Sequence, residues 1–161
     1  MKLLLLGGVA VCGVLLSAAT RHPSPDKQSF HANLTGSAEV PPVMTAAQGT
    51  AEFTLTGDTM TYSITAQGLT GVEAAHLHLG VKGKNGAPAV TLYKGPKTDV
   101  ASGELTHGSF TAVDLHGVTL QTLIGDMKKG AAYVNVHTSA HPNGELRGQI
   151  VAAEEMKTSS H

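Results

Sequence analysis

The chain has 161 residues, with 11 Lys and Arg against 12 Asp and Glu and a net charge of −1. That balance gives no electrostatic ground for nucleic acid or an anionic membrane as partner. With no Trp, three Phe, three Tyr and a single cysteine, the chain has neither an aromatic platform for sugars or bases nor an internal disulfide.

Residues 1–19 read as a secretory signal peptide: Lys2 is the basic start, residues 3–16 are the apolar stretch, and Ser17-Ala18-Ala19 supply small residues before cleavage after Ala19. The apolar run is shorter than the roughly 20 residues that span a bilayer, and Val11 precedes Cys12 where a lipoprotein signal has a small residue. The mature chain is therefore expected to be secreted or periplasmic, without a membrane span or a thiol. Residues 20–28, with Pro23 and Pro25, read as a linker.

From Ser29 the pattern has period two. Phe30 to Leu34 is a first strand, and Pro41-Pro42 keeps residues 39–43 extended. Ala51, Phe53 and Leu55 alternate with polar residues, Gly57-Asp58 turns, and Met60, Tyr62 and Ile64 alternate on the way back, which predicts a hairpin. Gly68 to Gly71 closes that unit before a strand at residues 75–79. Residues 80–88 form a Gly-, Lys- and Asn-rich loop, and residues 90–93 a short strand stopped by Gly95-Pro96.

Residues 101–106 and 109–113 read as a second hairpin around His107-Gly108. Leu120, Leu123, Ile124 and Met127 have helical spacing, with Lys128, Lys129 and Gly130 as a stop. Strands follow at 133–138 and 145–151, and residues 153–161 read as a disordered tail. The sum is an all-β protein, an antiparallel, Greek-key-like β-sandwich or barrel with one short helix, occupying residues 29–152.

Three histidines fall on the polar faces of these strands. Residues two apart share a face, so His76 and His78 project together away from Leu77 and Leu79, and His137 lies opposite Val134 and Val136. Three neutral imidazoles without thiolates suit copper, with zinc as the alternative, rather than magnesium or calcium. His141, Glu145 and Tyr133 are candidates for a further ligand, and Tyr133, Asn135 and Glu145 for fixing the imidazole tautomers. Arg147 is expected to pair on Glu145's side of the sheet. The blander reading is that the histidines only bond neighbouring strands. No G-x-S-x-G motif or spaced carboxylate pair suggests a catalytic residue.

Several stretches resemble the CHRD domain family, which is named after chordin and occurs in many exported bacterial proteins. They are Leu34-Thr35-Gly36 with Glu39-Val40-Pro41-Pro42-Val43, Gly49-Thr50-Ala51, Tyr62-Ser63-Ile64, Gly68-Leu69, residues 74–80, residues 133–138 and residues 144–150. The resemblance implies a β-rich extracytoplasmic module and marks His76, His78 and His137 as part of the family pattern. Three functions follow as expectations: an exported metal-binding module, a non-catalytic structural or protein-interaction module of the cell envelope, and a copper-dependent redox enzyme resembling superoxide dismutase. The missing disulfide and the lack of a second His- and Asp-rich cluster count against the last. The expected partner is a metal ion, and no protein partner is indicated.

Overall fold

The computed structural model describes residues 27–153. The expected signal peptide, linker residues 20–26 and tail residues 154–161 lie outside them. Seven strands and one helix follow in order: β1 (Lys27–Thr35), β2 (Gln48–Thr56), β3 (Thr59–Leu79), β4 (Pro88–Phe110), α1 (Leu120–Lys128), β5 (Ala132–Thr138), β6 (Leu146–Gln149) and β7 (Val151–Ala152). The first strand thus starts at Lys27, two residues before the boundary read from the sequence. All pairings are antiparallel, and they close on themselves through β1, β2, β3, β5, β6 and back to β1. The all-β, barrel-like class with one short helix stands. Among the described residues no helix is long and apolar enough to cross a membrane.

Alternation explains the first hairpin. Ala51 faces Ile64, Phe53 faces Tyr62 and Leu55 faces Met60 across β2 and β3, so the apolar sets meet on one face. Phe30 and Ala32 of β1 pair with Phe53 and Ala51 and extend that face. Together with Leu77, Val134, Val136, Leu146 and Ile150 they form one buried core. Each fully buried large apolar side chain of this kind contributes about 1.5–3 kcal/mol. Helix α1 inserts Leu123 and Met127 into the same core, and the Thr119 hydroxyl caps it by accepting the Thr122 amide at 3.2 Å.

Two long strands replace five expected short ones. β3 pairs with β2 over residues 59–67 and with β5 over 72–79, while β4 follows it along nearly its whole length. The strand therefore passes from one set of partners to another, as strands do when they turn a corner between packed sheets. Even-numbered residues Met60, Ile64 and Ala66 face the core before the corner, and odd-numbered Ala75 and Leu77 after it. Gly68 and Gly71, both at positive φ, lie in the irregular stretch that makes the switch. That change of parity turns His76 and His78 away from the core.

The hairpin expected around His107-Gly108 does not form, because β4 runs straight through both residues. Gly108 is needed for close approach rather than for a turn. A Cβ there would lie 2.7 Å from the Tyr62 hydroxyl, whose ring packs against this strand. Gly95-Pro96 likewise does not stop a strand; it bulges β4 between Lys94 and Thr98, which pair with Ala74 and Val72. The last strand is shorter than expected and breaks at Ile150, which is buried, before β7 pairs with β1.

Candidate metal centre

The second half of β3 lies beside β5, and β5 beside β6, which aligns their outward faces in rows. His78 lies opposite Tyr133 and Tyr133 opposite Gln149; His76 lies opposite Asn135 and Asn135 opposite Arg147; Ala74 lies opposite His137. The polar face is not open sheet. Loop 80–87, the segment around residues 39–43 and the turn at 139–145 cover much of it.

The three imidazoles converge. Ring centroids are 5.0 Å apart for His76 and His137, 5.7 Å for His76 and His78, and 6.2 Å for His78 and His137. One nitrogen from each lies within 4.8 Å of the other two, and among the described residues no other such group of His, Cys, Asp or Glu occurs. Ligands about 2.0–2.1 Å from one ion stand roughly 3.4 Å apart in a tetrahedral shell. The rings are thus gathered at one point and close on an ion by a small inward movement.

Two of the rings are oriented for that role. His78 Nδ1 donates to the Gly86 carbonyl at 2.9 Å and His137 Nδ1 to the Pro142 carbonyl at 3.0 Å. Since a carbonyl only accepts, each Nδ1 carries the proton and each Nε2 keeps its lone pair. Both Nε2 atoms are buried and have no hydrogen-bond partner. A ring nitrogen held by a carbonyl with the opposite nitrogen bare is the arrangement metal-ligating histidines adopt. Burial lowers the pKa of all three: to about 4 for His76, where the other two imidazoles add repulsion, and also for His78 and His137 despite their carbonyl bonds. The neutral imidazole, the form that ligates, is favoured at all three positions.

The remaining expected residues divide. Tyr133 is buried and stacks on His78 at 5.0 Å with 16° between the planes, and its hydroxyl accepts the Gly86 amide at 3.1 Å. It supports His78 and the loop. Glu145 is buried away from the cluster, with one oxygen accepting from Thr45 Oγ1 at 2.8 Å and the other from Thr138 Oγ1 at 2.7 Å. His141 lines a separate cleft of about 250 Å³ with Glu39, Pro41 and Pro142. Arg147 does not pair with Glu145. Its guanidinium donates to the Lys84 carbonyl at 2.8 Å, to Asn85 Oδ1 at 2.9 Å and to the Val81 carbonyl at 3.3 Å, and lies 3.6 Å from the Tyr133 ring centroid.

Each of these contacts fastens loop 80–87 over the face. Gln149 adds bonds to the Gly80 and Gly130 carbonyls, both at 2.6 Å. Two residues in this layer have roles that the sequence does not show. The expected pairing of Arg147 on Glu145's side of the sheet fails because its acceptors are mostly backbone carbonyls, which leave no mark in sequence. Glu39, 5% exposed, accepts from Asn135 Nδ2 at 3.5 Å. Its position before Val40-Pro41-Pro42 was visible only as part of the family-like stretch.

The CHRD domain pattern matches residues 30–150, which include β1 to β6 in whole or part and all three histidines. The chain belongs to the CHRD domain family. It is 32% identical to chordin of Xenopus laevis over 126 residues, 73% of this chain and 12% of chordin. The CHRD chain thus spans about an eighth of the length of that relative. No solved structure matches it.

Glu39 gives this CHRD domain a pH signature separate from the histidines. Burial raises its carboxyl from 4.5 to about 7, against the opposing pull of Arg147 and hydrogen bonds from Val40 and Asn135. The fold therefore prefers the protonated acid. Its stabilisation is full below about pH 4.5 and is lost as the pH rises through about 7. Glu39→Gln, neutral throughout, should match wild type at pH 4 and exceed it by about 1–2 kcal/mol at pH 8.5, after allowance for solvent screening. Urea unfolding at the two pH values measures the difference; a gap independent of pH contradicts the assignment.

Proposed function

We propose that the chain is an exported metal-binding β-module in which His76, His78 and His137 hold one transition-metal ion, copper first and zinc as the alternative. The observation that carries this reading is the pair of buried Nε2 atoms on His78 and His137. Each is bare because a loop carbonyl holds the opposite nitrogen, and both share one locus with His76. A purely structural histidine gains most by satisfying both nitrogens, since an unpaired buried polar atom costs about 1–3 kcal/mol. Two such atoms facing one place are accounted for by a shared ion.

Imidazole-only sites accept copper and zinc, and copper leads the affinity order. Export is supported by the character of residues 1–19 and by the likeness to chordin. No catalytic residue is assigned. The competing reading, a structural or interaction module, draws on the stacking of His78 with Tyr133 and on the two carbonyl bonds. Elemental analysis after exposure to copper, as Cu(I) and as Cu(II), and, separately, to zinc distinguishes them. The expected result is one ion per chain in wild type and less than a tenth of that in His137→Ala. Failure to take up either metal, or uptake unchanged in that variant, overturns the proposal.

A further inference from the structure

The histidine cluster lies in a layer with an unusual charge balance. All three candidate ligands are imidazoles, and the two buried carboxylates nearby, Glu145 and Glu39, are hydrogen-bonded to other side chains. Glu145 spends its two oxygens on Thr45 and Thr138. Glu39 is bonded to Asn135, and burial drives its carboxyl toward the protonated form. The one basic side chain buried in the layer is Arg147, 1% exposed. Among the described residues no carboxylate lies within ion-pair distance of its guanidinium. Its partners are two carbonyls, the Asn85 amide oxygen and the face of Tyr133. The other neighbour of Tyr133 is His78. A fixed positive charge without a salt-bridge partner among the described residues therefore stands one aromatic ring away from the candidate ligands.

That balance bears on which ion the cluster can hold. Desolvating an ion costs free energy in proportion to the square of its charge, and repulsion from Arg147 grows with the charge itself. A divalent ion normally recovers these costs from an anionic ligand or a full shell of donors. Here no carboxylate joins the cluster, and the Tyr133 hydroxyl is turned to the Gly86 amide. The spread of the nitrogens, up to 4.8 Å, also suits few ligands. Two or three donors around one ion stand roughly 3.5–4 Å apart at the usual bond lengths, wider than in a tetrahedral or octahedral shell.

Granted the three-histidine reading above, we propose that the site selects monovalent copper over divalent ions, and that Arg147 is the fixed charge that sets the preference. Arg147 touches none of the three rings by hydrogen bond, so its influence on the ion is through the field and through the loop it fastens.

The test compares affinities for Cu(I) and Cu(II) by competition with chromophoric chelators, using Ag(I) as a monovalent probe that needs no reductant and His137→Ala as the blank for surface binding. The wild-type chain should hold Cu(I) at least tenfold more tightly than Cu(II), and Ag(I) more tightly than Zn(II). Asn135→Asp is nearly isosteric and places a negative charge opposite both His76 and Arg147 in register. It should reduce the Cu(I) to Cu(II) ratio at least tenfold. Arg147→Leu, which removes the positive charge without adding a donor, should move the ratio the same way. Equal or tighter binding of Cu(II) by wild type overturns the selectivity while leaving the three-histidine site standing. So does an unchanged ratio in a folded Asn135→Asp protein. If neither oxidation state binds above the blank, the site itself fails and the selectivity with it. Should both variants fail to fold, the wild-type ratio decides alone.

Discussion

Replacing His78 by asparagine is expected to weaken copper binding at least a hundredfold while leaving the fold close to wild type. The asparagine amide can take the place of Nδ1 and keep the bond to the Gly86 carbonyl, which is 2.9 Å from the imidazole nitrogen. It has no counterpart to Nε2, the buried atom left without a partner. The variant thus keeps what a structural histidine provides and removes what a ligand provides. A hundredfold loss corresponds to about 2.7 kcal/mol, a modest value for one metal–nitrogen bond out of three. His137→Asn should behave alike through the Pro142 carbonyl. Competition titrations measure the affinity and thermal melting reports the fold. A variant that binds copper as wild type does removes His78 from the ligand set.

Arg147→Ala is expected to destabilise the chain by about 3–5 kcal/mol, among the larger effects of a single substitution. The side chain is 1% exposed and is surrounded by acceptors fixed in the covering loop. Truncation leaves the Val81 and Lys84 carbonyls and the Asn85 oxygen without their donor. Each buried acceptor so stranded costs about 1–3 kcal/mol, less where water can enter. Loss of the guanidinium from the Tyr133 face adds about 1 kcal/mol. Arg147→Lys should recover less than half of the loss, because an ammonium cannot reproduce a planar fork that reaches three oxygens. Urea unfolding of the metal-free chain measures both variants. A loss below 1 kcal/mol for alanine would mean that Arg147 does not hold the loop.

The local rules of the sequence carried far in some places and failed in others for physical reasons. Alternation in residues 51–64 set the faces of the first hairpin, and the 3.6-residue spacing of Leu120, Leu123 and Met127 located α1, because both patterns are properties of neighbouring residues. The same parity turned His76, His78 and His137 away from Leu77 and Val136. Their meeting depended on a longer-range fact, the antiparallel register that sets His76 beside Asn135 and Ala74 beside His137.

The misread hairpin at His107-Gly108 shows where glycine is ambiguous. A glycine needed to admit the Tyr62 ring looks the same in sequence as one needed for a turn. Gly95-Pro96 marked a bulge rather than an end. The covering layer was the least visible part. Arg147, Gln149 and Asn85 act on backbone carbonyls of segments distant in sequence, and Glu39 is buried by chain that has no alternation of its own. Residue types predict which face is polar; they do not reveal that the loops will fold over it.

X-ray absorption at the copper edge, on wild-type chain loaded with one equivalent of Cu(I), tests the central claim most directly. The three-histidine site predicts a shell of three nitrogens at roughly 2.0–2.1 Å, with the outer-shell scattering of imidazole rings, and its loss in His137→Ala. A sulfur shell, fewer than two imidazoles, or the same spectrum in that variant would place the ion elsewhere and contradict the account.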